Sequence, residues 1–181
     1  MKQFYLLFIF CCFAYLKGGA QEMLPDSFTI TQNRVFLETG LSQPVFGSTK
    51  NPQAVHARFG IKIIPRLYLL GHAGIGLRKE QREGFNNRKV SSIDFGGGLN
   101  YRIIQSPVRN WVVFRSLDVH ALWASTTNKS DWEYKLYELG LTLGLRGRYT
   151  PTIGASYRFY DSRTPGLKNV RGIFGTVGIR L

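Results

Sequence analysis

Cysteine is almost absent from this chain of 181 residues, and acidic residues are scarce. Both cysteines, Cys11 and Cys12, lie in an apolar stretch near the N-terminus, so residues 21–181 contain no disulfide bond. There are 11 acidic residues against 24 lysines and arginines, which gives a formal net charge of +13. No apolar run reaches the roughly 20 residues that a membrane-spanning helix requires. These absences exclude a disulfide-stapled scaffold and argue against a multi-helix membrane protein.

Glycine is frequent, with 20 residues, and aromatic residues make up 14% of the chain. Aromatic side chains favour strands and glycine favours turns, so this composition indicates a β-rich fold. The length and a mean hydropathy of −0.12 fit one folded domain.

The N-terminus carries the pattern of a secretory signal peptide. A basic start precedes an apolar stretch over residues 4–16, and Gly18 and Ala20 supply the small residues of a cleavage site. We therefore expect residues 1–20 to be a signal peptide and residues 21–32 to be a periplasmic N-terminal segment. An uncleaved N-terminal anchor is the alternative.

Apolar and polar residues alternate along the rest of the chain, with no sustained helical period. The alternation is clearest near the C-terminus, where Val177 and Ile179 share one face and Arg180 lies on the other. This pattern predicts an all-β domain over residues 33–181. The eight predicted strands cover about residues 33–43, 53–63, 67–78, 90–103, 111–124, 132–146, 148–160 and 170–181.

The connections between these strands alternate in length, which predicts an eight-stranded antiparallel up-and-down barrel. Tight turns are expected at 64–66, 105–108 and 146–148. Longer polar connections are expected at 44–52, 79–89, 125–131 and 161–169. Both ends of the barrel domain are then expected at the end with the short turns.

Alternation alone leaves open which face points inward. In a soluble lipocalin-like ligand-binding barrel the apolar face is inside, whereas in an outer-membrane barrel it faces lipid. Glycine recurs on the polar face beside long charged side chains, as at Gly96, Gly98 and Gly140. Small residues make room for such side chains in a narrow interior, so we expect a transmembrane barrel with its apolar face against lipid.

Aromatic residues lie toward both ends of the apolar face, which is typical of the girdles at membrane interfaces. They are Tyr101, Trp111, Tyr149, Trp123, Tyr157 and Phe159. Arg115 falls on the same face and breaks the pattern. Either its side chain reaches the nearer interface or the strand register shifts at this point.

In these features the chain resembles the small eight-stranded outer-membrane β-barrel proteins of Gram-negative bacteria, the group of the OmpA transmembrane domain and OmpX-like porins. The resemblance rests on the signal peptide, the eight amphipathic strands and the terminal segment 175–181. It implies a monomer in the cell outer membrane that contacts outer-membrane lipids, is inserted by the barrel-assembly machinery and carries no cofactor. Members usually end in an aromatic residue that this machinery reads, whereas this chain ends in Leu181.

Charged residues on the polar face predict an ion-pair network that plugs the barrel, because a buried charge without a partner is costly. We expect the mid-strand carboxylates to meet Arg58 and the histidines across the lumen, with a narrow pore as the alternative. The predicted network comprises Glu38, Arg58, His72, Asp94, Asp118, His120, Glu138 and Arg158. A basic floor at the periplasmic, short-turn end is predicted from Lys62, Arg102, Arg146 and Arg180.

Asp118 and His120 share a strand face, with Glu138 on the next strand, and a histidine oriented by a carboxylate is part of a hydrolase triad. No nucleophile has a suitable position, since Ser116 lies beyond the acid. Lipid A deacylases on this scaffold carry a His-x-Ser-Asn pattern, which this sequence lacks, and no metal-ligand spacing occurs. We expect no enzymatic activity and no metal site; a lipid A-modifying enzyme is the alternative.

The positive charge is spread over strands and loops instead of forming a stripe with stacking aromatics, so nucleic acid is not an expected partner. A basic rim at the long loops would suit the phosphates of lipopolysaccharide. Because Glu80, Glu83 and Asp161 are interspersed, an ordinary solvated surface is the alternative. The candidate contacts are Lys79, Arg82, Arg88, Lys89, Arg163, Lys168 and Arg171. The expected role is in envelope structure or surface interaction.

Overall fold

Eight antiparallel strands form a closed barrel in a computed structural model of the chain. The structure describes residues 34–45, 52–80, 88–105, 113–127, 130–147 and 149–181, with only the backbone at 79, 80, 88 and 89. The strands are β1 (Val35–Pro44), β2 (Gln53–Ile64), β3 (Leu67–Glu80), β4 (Arg88–Gln105), β5 (Phe114–Thr126), β6 (Tyr134–Leu145), β7 (Thr150–Ser162) and β8 (Val170–Arg180). Each strand pairs with its neighbours in sequence, and β8 pairs with β1. The predicted up-and-down barrel topology is confirmed.

The described residues all belong to one compact unit, Asn33–Leu181. The expected signal peptide over 1–20 and N-terminal segment over 21–32 lie outside them. Within the part of the chain that the structure describes, no helix is long and apolar enough to cross a membrane.

Alternation along the strands sends apolar side chains outward and polar side chains inward. On β6, Leu139 is 60% exposed, whereas the neighbouring Glu138 is only 4% exposed. On β8, Ile179 is exposed and Arg180 is buried. A soluble ligand-binding barrel has its apolar face inside, so the lipocalin-like alternative does not fit this orientation.

The two ends of the barrel differ in their connections. At the end where β1 begins, which we call the turn end, Pro65 and Arg66 alone join β2 to β3, and Arg66 adopts a left-handed φ of 71°. The N–H of Leu181, just after β8, donates to the carbonyl of Leu37 at 2.8 Å, so the barrel also closes at this end. The opposite end, the loop end, carries the connections 45–52, 81–87, 127–133 and 163–169.

The strand after the tight turn predicted at 105–108 begins later than expected, at Phe114 instead of residue 111. The turn itself lies outside the described residues, apart from Gln105. The sixth and seventh strands also begin two residues later than predicted, at Tyr134 and Thr150. At the start of β6, the Tyr134 N–H donates to Thr126 Oγ1 at 2.9 Å, and this hydrogen bond closes the loop between β5 and β6. Trp111, expected in the girdle, lies outside the described residues.

Three β-bulges lie near the turn end, where the strand pairing skips one residue each time. The skipped residues are Ile63 on β2, Ile103 on β4 and Arg115 on β5. The strand register thus shifts at Arg115, which is exposed and whose guanidinium donates to Thr150 Oγ1 at 2.9 Å. Bulges are common at barrel rims, where they bend a strand and increase its twist.

Interior glycines allow the strands to approach each other closely. A Cβ atom on Gly98 of β4 would overlap the carbonyl oxygen of Ala121 on β5, which is backbone and cannot move without opening the sheet. Gly71 on the outer face of β3 has space, because the nearest atom to its Cβ position is the Phe59 carbonyl oxygen at 3.9 Å.

Gly98→Ala is expected to lower the free energy of unfolding by about 1–3 kcal/mol, the usual cost of overpacking. Gly71→Ala is the matched control and should change it by less than about 0.5 kcal/mol. Urea titration of the purified barrel measures both. Equal effects of the two substitutions would contradict the claim that the contact between β4 and β5 excludes a side chain.

Candidate functional site

Glu138 lies at the centre of the charged side chains inside the barrel. Its Oε1 atom accepts hydrogen bonds from Arg58 Nη2 at 2.7 Å and from Arg158 Nη2 at 3.1 Å, and lies 3.1 Å from His120 Nε2. Glu138 and Arg158 are cross-strand partners on β6 and β7, whereas Arg58 reaches this carboxylate from β2. All four side chains are buried, so these partners take the place of water around the carboxylate.

A second group of charges lies nearer the turn end and is joined to the first. Arg180 donates to Glu38 Oε2 from Nη2 at 2.6 Å and from Nε at 2.9 Å, and it also donates to Asp118. Arg102 Nε donates to the other oxygen of Asp118 at 2.9 Å. Arg58 lies 3.7 Å from Glu38 and thereby links the two groups.

Together these side chains form one line of alternating charge, which we call the ion-pair chain. Each of its three carboxylates is shared by two arginines, so that three acidic side chains pair with four cations. In order, the ion-pair chain consists of Arg102, Asp118, Arg180, Glu38, Arg58, Glu138 and Arg158.

The predicted basic floor is therefore not separate from the network, since Arg102 and Arg180 belong to the ion-pair chain. Asp118 meets these two arginines instead of Arg58 or a histidine, because Arg102 is its cross-strand partner on β4. The other two floor residues remain at the turn end, where Lys62 is half-buried and Arg146 is exposed.

A further polar group lies toward the loop end. His72 Nε2 is 2.9 Å from Asp94 Oδ1, and Asp94 also accepts a hydrogen bond from the hydroxyl of Tyr134. Ser92 Oγ donates to this hydroxyl at 3.2 Å. His56 is buried nearby, with its ring centroid 6.1 Å from that of His72, and neither of its ring nitrogens has a hydrogen-bond partner among the described residues. His72 and Asp94 thus form a pair of their own beside the ion-pair chain.

Aromatic side chains fill the interior at the loop end. The rings of Trp132, Tyr134 and Tyr160 pack with centroids 4.3 to 5.4 Å apart, and Phe174 lies 5.8 Å from Tyr160. We call these four residues the aromatic layer. Arg78 lies over the Trp132 ring, 4.9 Å from its centroid. All four rings are buried, and they cover the charged side chains from the loop end.

Aromatic rings also pack against the arginines at the turn end of the interior. Arg180 lies 4.5 Å from the centroid of Phe36 and Arg102 lies 5.0 Å from that of Tyr68. Arg102 Nη1 also donates to the Tyr68 hydroxyl at 3.2 Å. One gap beside Phe36 and Arg180 is too small to hold a water molecule.

The aromatic layer and Ser42 are functional candidates that the sequence analysis did not identify. Ser42 Oγ accepts a hydrogen bond from Arg158 Nη1 at 2.6 Å, a contact across the β1–β8 seam that no local pattern indicates. A signal for the rings did exist, because Tyr134 and Tyr160 are in phase with Glu138 and Arg158 on the same strands. Strand phase, rather than side-chain polarity, identifies the inward residues.

The candidate hydrolase residues are not arranged as a triad. His120 contacts Glu138, while Asp118 is held by two arginines and does not orient the histidine. Ser116 is buried on β5, where it pairs with Gly144 of β6. The carboxylates therefore serve charge neutralisation in this arrangement.

The loop-end cations differ in their surroundings. Arg163 Nη2 donates to Ser125 Oγ at 2.9 Å, and the Lys168 carbonyl accepts a hydrogen bond from Arg78 at 3.1 Å. Arg171 is exposed on β8, opposite Phe159 of β7. These residues share the loop end with the carboxylates of Asp131, Glu133 and Asp161.

The other loop candidates are at strand ends or outside the described residues. Lys79 on β3 pairs with Lys89 on β4, and Glu80 pairs with Arg88, so these strands extend into the connection predicted over 79–89. The side chains of Lys79, Arg88 and Lys89, and the whole of Arg82, lie outside the part of the chain that is described.

Comparison with known proteins finds structural similarity to solved structures. No protein-family model matches the chain. No curated protein matches it either. The outer membrane protein Ail of Yersinia pestis, whose backbone structure was determined in a phospholipid bilayer nanodisc, is similar over 81% of this chain and 98% of its own, with 15% sequence identity and a TM-score of 0.47. The functional argument therefore rests on the side chains of this barrel itself.

Glu138→Gln is expected to lower the free energy of unfolding by about 3–5 kcal/mol, because Arg58 and Arg158 lose their shared carboxylate while remaining buried. Glu133→Gln, at a half-buried position in the loop before β6, is the control and should change it by less than about 0.5 kcal/mol. Urea unfolding followed by tryptophan fluorescence measures both. A loss at Glu138 no larger than at Glu133 would contradict a central role for this carboxylate.

Proposed function

We propose that the protein is an outer-membrane β-barrel without enzymatic activity, with a plugged interior, that acts in envelope structure or in contacts at the cell surface. The observation that carries this proposal is the orientation of the barrel: aliphatic side chains cover the outside and charged side chains are buried inside. In water such an exterior would be an aggregation hazard, whereas against lipid it is favourable.

The exterior has further features of a membrane-spanning barrel. Each strand has 10 to 18 residues, and a tilted strand needs roughly 9–11 to cross the hydrocarbon core. Tyr101 and Tyr149 are exposed toward the turn end, and Trp123 and Tyr157 toward the loop end. Such amphipathic rings are favoured at the boundary between lipid and water. These features support export to a membrane that barrels inhabit, the outer membrane of a Gram-negative cell.

The interior supports a structural role over a pore. The ion-pair chain and the aromatic layer occupy successive levels of the lumen, and Arg158 joins them, since it binds Glu138 and lies 5.2 Å from the centroid of Phe174. A solute would have to displace buried, paired charges, which is energetically costly. The same pairing leaves Asp118 and His120 without the contacts that a hydrolytic mechanism requires.

The loop end is the face that would meet the outside of the cell. Its exposed cations, Arg163, Lys168 and Arg171, suit the phosphate groups of lipopolysaccharide, since a guanidinium or ammonium group forms charge-assisted hydrogen bonds to phosphate. We include lipopolysaccharide among the proposed lipid partners, with the barrel-assembly machinery as a partner during insertion and the monomer as the working state.

Expression of the full chain with its own N-terminus tests the membrane location. The protein is expected in the membrane fraction, with a gel mobility that changes on boiling, because a closed barrel resists unfolding in detergent until it is heated. Recovery in the soluble periplasmic fraction, with one mobility in both samples, would contradict the proposal.

Planar-bilayer recording tests whether the interior is closed. The wild-type barrel is expected to give no single-channel conductance, because its charged side chains are paired and its loop end is covered by packed rings. Insertion is checked separately through the heat-dependent mobility of the reconstituted sample. Discrete conductance steps that change in Arg58→Ala would support the narrow-pore alternative instead.

A further inference from the structure

Among the residues that the structure describes, the rim of the barrel at the turn end carries basic side chains and no acidic side chain at its surface. In the described part of the chain, Glu38 and Asp118 are the acidic side chains nearest to this end, and both are buried in the ion-pair chain. We call the basic residues at this end the turn-end rim. They are Arg34, Lys62, Arg66, Arg115 and Arg146, all exposed except the half-buried Lys62.

The three bulges give this end a second property, an apolar border beside the cations. Ile63 and Ile64 are each 55% exposed, although successive residues of a regular strand point to opposite faces. The bulges on β2 and β4 thus leave two neighbouring apolar side chains outward, directly after a basic residue in sequence. These are Ile63 and Ile64 after Lys62, and Ile103 and Ile104 after Arg102. On β5 the exposed apolar residues Val113 and Phe114 precede the bulged residue Arg115.

We propose that the turn-end rim binds the anionic headgroups of phospholipids in the leaflet at this end of the barrel. This inference rests on the proposed membrane location and adds a lipid class and a binding surface to it. The paired apolar side chains would lie among the acyl chains, and the cations above them would meet phosphate. Guanidinium groups suit this role because they donate several hydrogen bonds to phosphate oxygens and stay charged.

The loop end offers a contrast within the same molecule. Its cations share the surface with carboxylates, as at Lys135, which is the cross-strand partner of Asp161. A carboxylate beside a cation offsets much of its attraction for a negatively charged headgroup. Lys135 is therefore a suitable control for a cation of the turn-end rim, since removing either one lowers the charge of the protein equally.

The test uses the full chain purified from membranes and placed in bilayers of equal parts phosphatidylglycerol and phosphatidylcholine. The lipids that remain bound after transfer to detergent are counted by native mass spectrometry. The wild type is expected to retain more phosphatidylglycerol than phosphatidylcholine. Arg66→Gln should lower the ratio of retained phosphatidylglycerol to phosphatidylcholine about fivefold, because each cation near an anionic surface contributes about that factor to binding. The double variant Arg34→Gln, Arg66→Gln should lower this ratio further.

Lys135→Gln should change the ratio by less than about twofold, since Asp161 lies opposite it. Added salt should reduce the wild-type preference, because the Debye length falls from about 10 Å at 0.1 M to about 3 Å at 1 M. An equal loss in Arg66→Gln and Lys135→Gln would overturn the proposal, because only total charge would then matter.

The heat-dependent mobility of each sample separates two failures. A barrel that shows the mobility change but retains both lipids equally would overturn the turn-end rim as a lipid site and leave the membrane location intact. A chain that shows no mobility change and is not recovered with membranes would overturn the proposed function itself.

Discussion

Sharing of each carboxylate between two arginines is the interaction on which the interior of this barrel depends. Glu138 binds Arg58 and Arg158, while Glu38 and Asp118 share Arg180. Water would normally solvate such charges, and several kcal/mol per ion is lost when it is removed, so the pairs offset a cost instead of adding a large surplus. The arrangement specifies which side chains face inward, because an arginine of the ion-pair chain that turned outward would leave a buried carboxylate with one arginine instead of two.

The aromatic rings complete this interior because arginines outnumber carboxylates in the ion-pair chain. Both terminal arginines of the chain lie over rings, Arg102 over Tyr68 and Arg158 over Phe174. The negative face of an aromatic ring attracts a cation, more strongly when both are desolvated. Inward aromatic residues thus have an electrostatic role beside the fixed charges, in addition to filling volume.

The number of strands, their topology and the side chains that point outward could be predicted, because these features depend on the local alternation of apolar and polar residues along the sequence. The partner of each charged side chain could not be predicted, since it depends on the register between strands. Arg102 was predicted to belong to a separate basic floor, but cross-strand pairing places it beside Asp118. The bulges at Ile63 and Ile103 likewise occur within stretches of isoleucine that carry no phase information. The inward rings Tyr134 and Tyr160 were missed because aromatic side chains are expected on the lipid-facing side, although the position of these two in the strand alternation places them inside the barrel.

The pairing of β1 with β8 has a consequence for how this molecule assembles. Glu38 and Arg180 are separated by 142 positions in sequence, yet their side chains are in contact. The first strand therefore cannot neutralise its glutamate through this pair until the last strand has arrived. Loop closure over such a distance carries a large entropic cost before any contact compensates for it. A partly assembled barrel leaves its interior charges without partners, which lipid disfavours. In the membrane proposed for this protein, entry and completion of the barrel are therefore expected to be a single cooperative event.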